Sequence, residues 1–262
     1  MTASETGPSP AEPQRPPPRR GIYLLPNLLT TGGLFAGFYA IIAAANGDYT
    51  SAAIAVFVAG LLDGLDGRIA RLTNTQSEFG VQYDSLADLV SFGMAPALVM
   101  YHWSLSSLAV HGPLWAKIGW AVAFLYAACA ALRLARFNTQ VSVVDKRYFI
   151  GLASPAAAGA LMAFVWVANK FEFSGAQLQY PALAVTVVAA LLMVSRLRYH
   201  SGKALPFGER VPFVVILGAV GLFVALAVAP DRMLLTVFWL YALSGPAAWI
   251  LGRVRRRGAP SA

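Results

Sequence analysis

The chain has 262 residues, of which 58% are hydrophobic and 12% charged, with a net charge of +8 and a mean hydropathy of +0.60. Soluble domains carry about 25% charged residues. This composition therefore excludes a water-soluble globular protein, a disordered chain, a disulfide scaffold and a nucleic-acid domain coated with basic side chains. What remains is an all-α, polytopic integral membrane protein, and at about 20 residues per span the length allows at most about ten spans.

Residues 1–21 are rich in Pro and polar residues and lack apolar periodicity, which predicts a disordered tail. They do not form a signal peptide, because no charged segment leads into an apolar run ending in a cleavage site. Apolar segments come next, predicting eight spans at about 24–46, 50–71, 80–101, 114–136, 150–169, 180–197, 211–229 and 233–251. The breaks carry turn chemistry: Asn46-Gly47-Asp48, His111-Gly112-Pro113 and Pro230-Asp231. Residues 22–252 read as one membrane domain, and residues 253–262 as a basic tail on anionic lipid. The single cysteine, Cys129, lies in an apolar run and reads as a buried, inert thiol.

Basic residues orient this arrangement, since cytoplasmic loops carry an excess of Lys and Arg. With the N-terminus inside, that side holds Arg15, Arg19, Arg20, Arg68, Arg71, Arg133, Arg136, Lys146, Arg147, Arg196, Arg198, Lys203, Arg210, Arg253, Arg255, Arg256 and Arg257. The other side holds only Lys117, Lys170 and Arg232. The even number of spans and an N-in, C-in topology support each other. The net positive charge is thus a topology signal and not a nucleic-acid footprint.

Twelve acidic residues exist, and four of them, Asp63, Asp66, Asp84 and Asp88, fall in or beside the second and third spans. One Asp at mid-bilayer costs about 2.5–3.5 kcal/mol on insertion scales. These four must therefore lie near the interface, line a hydrated cavity or be neutralised. Asp63 and Asp66 are i, i+3, with Gly67, Ala70 and Arg71 on the same stripe. Gly80, Asp84 and Asp88 recur every four residues on the next helix. The polar stretch Thr73-Asn74-Thr75-Gln76-Ser77 allows a tight turn, so a helical hairpin can gather all four carboxylates. Small residues at 67, 70 and 80 permit close helix packing or close approach of a ligand. Converging carboxylates repel unless cations lie between them. Oxygen ligation suits Mg²⁺, Mn²⁺ or Ca²⁺, and four carboxylates suffice for two bridged metals, a device for displacement at phosphorus. Structural ion pairs with Arg68 and Arg71 are the simpler alternative.

The spacing Asp63-x2-Asp66-Gly67-x2-Ala70-Arg71-x8-Gly80-x3-Asp84-x3-Asp88 matches the signature of the CDP-alcohol phosphotransferase family. The opening segment Leu25-Pro26-Asn27-Leu28-Leu29-Thr30 also resembles this family. The stretches 132–138, 151–159 and 194–199 resemble its phosphatidylserine synthase branch, although Ala153 stands where a proline is expected. The resemblance covers roughly residues 24–230. It implies that Asp63, Asp66, Asp84 and Asp88 hold metal and that Asp88 is the general base. It further implies that Asp63, Gly67, Ala70, Arg71 and Gly80 form the CDP site and that the protein is a homodimer; the Ala- and Arg-rich composition points to a prokaryote, and so to its cytoplasmic membrane. The implied reaction transfers the phosphatidyl group of CDP-diacylglycerol to the hydroxyl of L-serine and releases CMP at the cytoplasmic face.

Arg133 and Arg136, at the cytoplasmic end of the fourth span, are candidates for holding serine's carboxylate; a lipid anchor is the alternative. Asn138 and Ser154 are candidate polar contacts, with helix capping or packing as the simpler roles. Two other functions compete. One is the same fold acting on glycerol 3-phosphate or inositol phosphate, which needs a larger cationic pocket. The other is a cation transporter, which needs acids distributed along a path instead of clustered on one side.

Overall fold

The computed structural model describes residues 24–75, 77–140, 148–200 and 213–257. The N-terminal tail, Lys146, Arg147, Lys203, Arg210 and residues 258–262 lie outside them.

The helices start where local chemistry dictates. Helix α1 spans Leu24–Ala45 and turns through Gly47, whose φ of 84° suits a residue without Cβ. Helix α2, Tyr49–Leu72, is capped by Asp48, which accepts from the Ser51 amide at 3.0 Å. Hydrogen bonding from the Ser51 side chain, and then from its amide, holds the Asp48 carboxyl below the usual carboxylate range. Helix α3, Glu78–Asp88, is capped by Ser77, which accepts from the Gly80 amide at 3.0 Å. It continues through a π-helical turn, Leu89–Met94, into α4, Ala95–Trp103. A 3₁₀ segment, Leu105–His111, leads to α5, Pro113–Gln140. Helices α6, Ser154–Lys170, and α9, Pro230–Arg257, begin at or beside a proline, whose fixed φ suits a helix start. Between them lie α7, Gln179–Val194, and α8, Phe213–Val228.

Among the described residues these elements form eight helical rods, the third containing the π turn. The protein is thus an almost entirely helical membrane protein. Leu24–Ala45, Pro113–Thr139 and Pro230–Leu251 are long and apolar enough to cross a bilayer. Helix α6 is the central rod, and Ala156–Ala163 are almost all buried. Helices α1 and α2 approach closely because alanines, including Ala40, Ala44, Ala52 and Ala59, form their contact. Cys129 is buried and free, as its apolar setting predicts.

Three expectations need correction. The chain is not purely α: strands β1, Tyr148–Ile150, and β2, Arg198–His200, pair antiparallel with Phe149 opposite Tyr199. Residues 150–153 and 195–197, expected inside the fifth and sixth spans, are therefore not helical. The chain there needs backbone partners, which it takes from the facing segment: the Gly151 amide donates to the Leu197 carbonyl at 2.9 Å, and the Leu152 amide to the Leu192 carbonyl at 3.0 Å. Finally, α5 runs to Gln140, a few residues beyond its expected span end, whereas the apolar part of α9 ends at Leu251 as expected.

The strand pair fixes the start of α6. Gly151 has φ 83°, and an added Cβ would lie 2.3 Å from the Met193 carbonyl oxygen. Gly151→Ala is expected to lower stability by about 1–3 kcal/mol from backbone strain alone. A thermal melt in detergent should show the loss as a drop of several degrees.

Candidate active site

The site is built from α1, α2 and the α3–π–α4 rod. Asp63 and Asp66 stand one helical turn apart on α2, and Asp84 and Asp88 one turn apart on α3. The turn at 73–77 returns the chain so that the two stripes face each other. Carboxylate oxygens of Asp63, Asp66 and Asp84 all lie within 4.8 Å of one another. Asp88 stands outside that triple, but its carboxyl reaches the Asp63 carboxyl. All four carboxylates line a cavity of about 10 Å³, together with Thr30, Ser91 and Phe92. That volume is about what one water-sized occupant needs.

Among the described residues, no arginine forms an ion pair with the cluster. The single ion pair among the described residues joins Lys170 to Asp231 at 2.7 Å, away from the site. Structural Asp–Arg pairs with Arg68 and Arg71 are thereby excluded. Asp66 is buried and receives a hydrogen bond from the Thr30 hydroxyl at 2.6 Å. An unpaired set of three buried or half-buried carboxylates is costly on its own. The donor set, all hard oxygens at close range, therefore fits a divalent cation.

A second pocket of about 220 Å³ opens beside the carboxylates. It is lined by Asp66, Gly67, Ala70, Arg71, Gly80 and Asp84, and α1 contributes Pro26, Asn27 and Thr30. The sequence-predicted residues Gly67, Ala70, Arg71 and Gly80 thus share one wall. An added Cβ at Gly67 meets nothing nearer than Arg71 Nη2 at 3.9 Å, so that face opens on the pocket. Asp63, expected with this group, lines the inner cavity instead.

The residues expected near serine separate into two places. Arg133 on α5 donates from Nη1 to Ser154 Oγ at 2.9 Å, while its buried Nε has no hydrogen-bond partner. Its charge is within range of Asp88. Ser154 is the first residue of α6, whose cap position is Ala153; its hydroxyl accepts from Arg133. Arg136 is half-buried and has no ion-pair partner among the described residues. Asn138 lies more than one turn farther along α5, exposed, donating to Ser85 Oγ at 3.0 Å. It braces α5 against α3 and is not joined to Arg133.

Sequence reasoning gave no role to Thr30. Its hydroxyl also bonds the Pro26 carbonyl at 3.1 Å, the ordinary fate of a threonine in an apolar helix. Only the fold brings it to Asp66, 36 residues away. The adjacent pair Thr31 and Tyr83, 2.9 Å apart, ties α1 to α3 in the same way.

This is an α-helical membrane protein with a cluster of carboxylates that could hold a metal ion, set beside an open pocket. Residues 23–195 match the CDP-alcohol phosphatidyltransferase family, and the chain belongs to that family. It is 37% identical to a CDP-diacylglycerol–serine O-phosphatidyltransferase of Helicobacter pylori over 91% of this chain and 96% of that protein. A protein of the same name from Methanocaldococcus jannaschii is 32% identical over 75% of this chain and 83% of its own length. An archaetidylserine synthase of Methanothermobacter thermautotrophicus is 33% identical over 67% and 69%.

Proposed function

We propose that the protein transfers the phosphatidyl group of CDP-diacylglycerol to L-serine, forming phosphatidylserine and CMP. The observation that carries this reading is the carboxylate triple within 4.8 Å at the edge of a pocket lined by Gly67, Ala70, Arg71 and Gly80. Serine as the acceptor is supported by the relatives' names, all three of which contain serine.

Asp63, Asp66 and Asp84, with Asp88 completing the set, would hold two divalent cations, Mg²⁺ or Mn²⁺. When bound, they supply charge neutralisation at the diphosphate and at the departing CMP. Gly67, Ala70 and Gly80 leave room for the nucleotide, and Arg71 pairs with a phosphate oxygen. Arg133, oriented by Ser154, holds the serine carboxylate. Asp88 accepts the serine hydroxyl proton as that oxygen bonds to the phosphorus carrying diacylglycerol. The bond from that phosphorus to CMP breaks, and CMP leaves with the electron pair.

The proposal includes eight spans with both termini cytoplasmic in a prokaryotic inner membrane, the site facing the cytoplasm, and a homodimer. Its units are a tail at 1–21, a membrane domain at 22–252 and a basic tail at 253–262. The 17 basic residues on one side of that arrangement support it. The test is CMP release by purified protein with CDP-diacylglycerol and serine, glycerol 3-phosphate or inositol phosphate. Release with serine alone is expected; release only with a phosphorylated alcohol overturns the choice of acceptor.

Thr30 should tune the cation site through Asp66. Thr30→Val removes the 2.6 Å hydrogen bond with little change in shape. The Mn²⁺ concentration giving half-maximal CMP release is expected to rise about ten- to a hundredfold, as is typical of residues that orient a ligand. An unchanged Mn²⁺ titration would show that Asp66 needs no such support.

A further inference from the structure

Asp88 leads immediately into the π turn Leu89–Met94. A π turn inside an α-helix is uncommon, and such turns concentrate at functional sites. The sequence supplies its cause. In an α-helix the Phe92 carbonyl accepts from residue 96, but residue 96 is proline, which lacks the N–H and whose ring clashes with that carbonyl. Widening the turn relieves the clash, and the Ala95 amide bonds back five residues to Val90.

The wide turn is clamped from two sides. On one side the Tyr126 hydroxyl, fully buried on α5, donates to the Phe92 carbonyl at 3.2 Å, taking the place of the donor that Pro96 lacks. On the other, Ser91 Oγ, also buried, donates to the Gly33 carbonyl of α1 at 3.0 Å. The fit is close. A Cβ at Gly93 would lie 3.2 Å from Ala130 Cβ on α5, and one at Gly37 would lie 2.5 Å from Ser91 Oγ. Ser91 and Phe92 line the same small cavity as the four carboxylates. One residue added to a turn rotates the helix on its N-terminal side relative to the helix on its C-terminal side. The turn therefore sets the facing of Asp88 relative to the buried face of α4, where Ala95, Val99 and Trp103 pack.

We propose that Tyr126 is a positioning residue for the reaction: Pro96 opens the turn, and Tyr126, by holding the Phe92 carbonyl, fixes how the opened turn faces and so aims Asp88 at Asp63. This rests on the role of Asp88 given above. The tests are Tyr126→Phe, and Tyr126→Phe combined with Pro96→Ala, in the full-length protein. In Tyr126→Phe, kcat is expected to fall about ten- to a hundredfold, the scale of a misplaced reactive group, with KM for serine and CDP-diacylglycerol unchanged. In the double variant, the alanine introduced by Pro96→Ala supplies an N–H to the Phe92 carbonyl, so thermal stability should return to the wild-type value. The reason for the wide turn is then gone, and kcat should stay low.

A second readout needs no alcohol. Mn²⁺ should raise the melting temperature of the substrate-free protein, and both variants should need about tenfold more Mn²⁺ for half of that shift. Wild-type kcat and Mn²⁺ response in Tyr126→Phe overturn the proposal. So does recovery of kcat together with stability in the double variant, which would reduce Tyr126 to satisfying a carbonyl. A wild-type protein inactive with serine but showing the Mn²⁺ differences counts against the acceptor alone.

Discussion

Asp88→Asn is expected to lower kcat for CMP release by about a thousandfold, and excess Mn²⁺ should restore little of it. A positioned general base contributes roughly 10²–10⁴-fold, and Asp88 is the carboxylate that stands outside the close triple while still reaching Asp63. The substitution keeps the side-chain shape and removes one negative charge from a cluster with no ion-pair partner among the described residues. It should therefore leave the melting temperature unchanged or raise it, because repulsion among the remaining carboxylates falls. Asp84→Asn provides the contrast: it removes a member of the triple, so raising Mn²⁺ should recover part of its lost activity. Activity of Asp88→Asn within tenfold of wild type sinks the base assignment.

The contrast between these two aspartates shows what the sequence makes visible. Fixed spacing on two helices, three and four residues apart, is enough to bring four carboxylates to one place, since the helical period decides which face each occupies. The pocket wall of Gly67, Ala70, Arg71 and Gly80 arises from the same periodicity. The parts of the site that depend on a third element do not. Thr30 has a local carbonyl to bond and shows no sign of its tie to Asp66. Tyr126 reads as one aromatic in an apolar run. Pro96 orphans the Phe92 carbonyl by helical spacing alone, but only packing shows that Tyr126 on α5 supplies the donor. The strand pair was hidden for a related reason. The expected fifth span begins at Ile150, the last residue of the strand Tyr148–Ile150, whose pairing partner lies about 50 residues away.

The proposed contact with serine's carboxylate makes Arg133 the residue on which the choice of alcohol is tested. Arg133→Met, which keeps much of the volume and removes the charge, is expected to raise KM for serine about ten- to a hundredfold. That corresponds to losing one hydrogen-bonded charge contact of about 1.5–3 kcal/mol. KM for CDP-diacylglycerol should not move. The guanidinium carries five N–H donors; Nη1 is held by Ser154, and the buried Nε has no partner. A buried donor left open is expensive in a membrane protein, and a carboxylate entering the site supplies the missing acceptor. Ser154→Ala keeps the charge but frees its direction, so it should raise KM for serine by a smaller factor. A phosphate-bearing alcohol carries more negative charge and calls for a second cation, and half-buried Arg136 is the nearest candidate on the same helix. If Arg133→Met leaves KM for serine unchanged and Arg136→Met raises it, the acceptor pocket lies one turn toward the end of α5. If both leave it unchanged, neither arginine holds serine, and their charge serves the phospholipid surface alone.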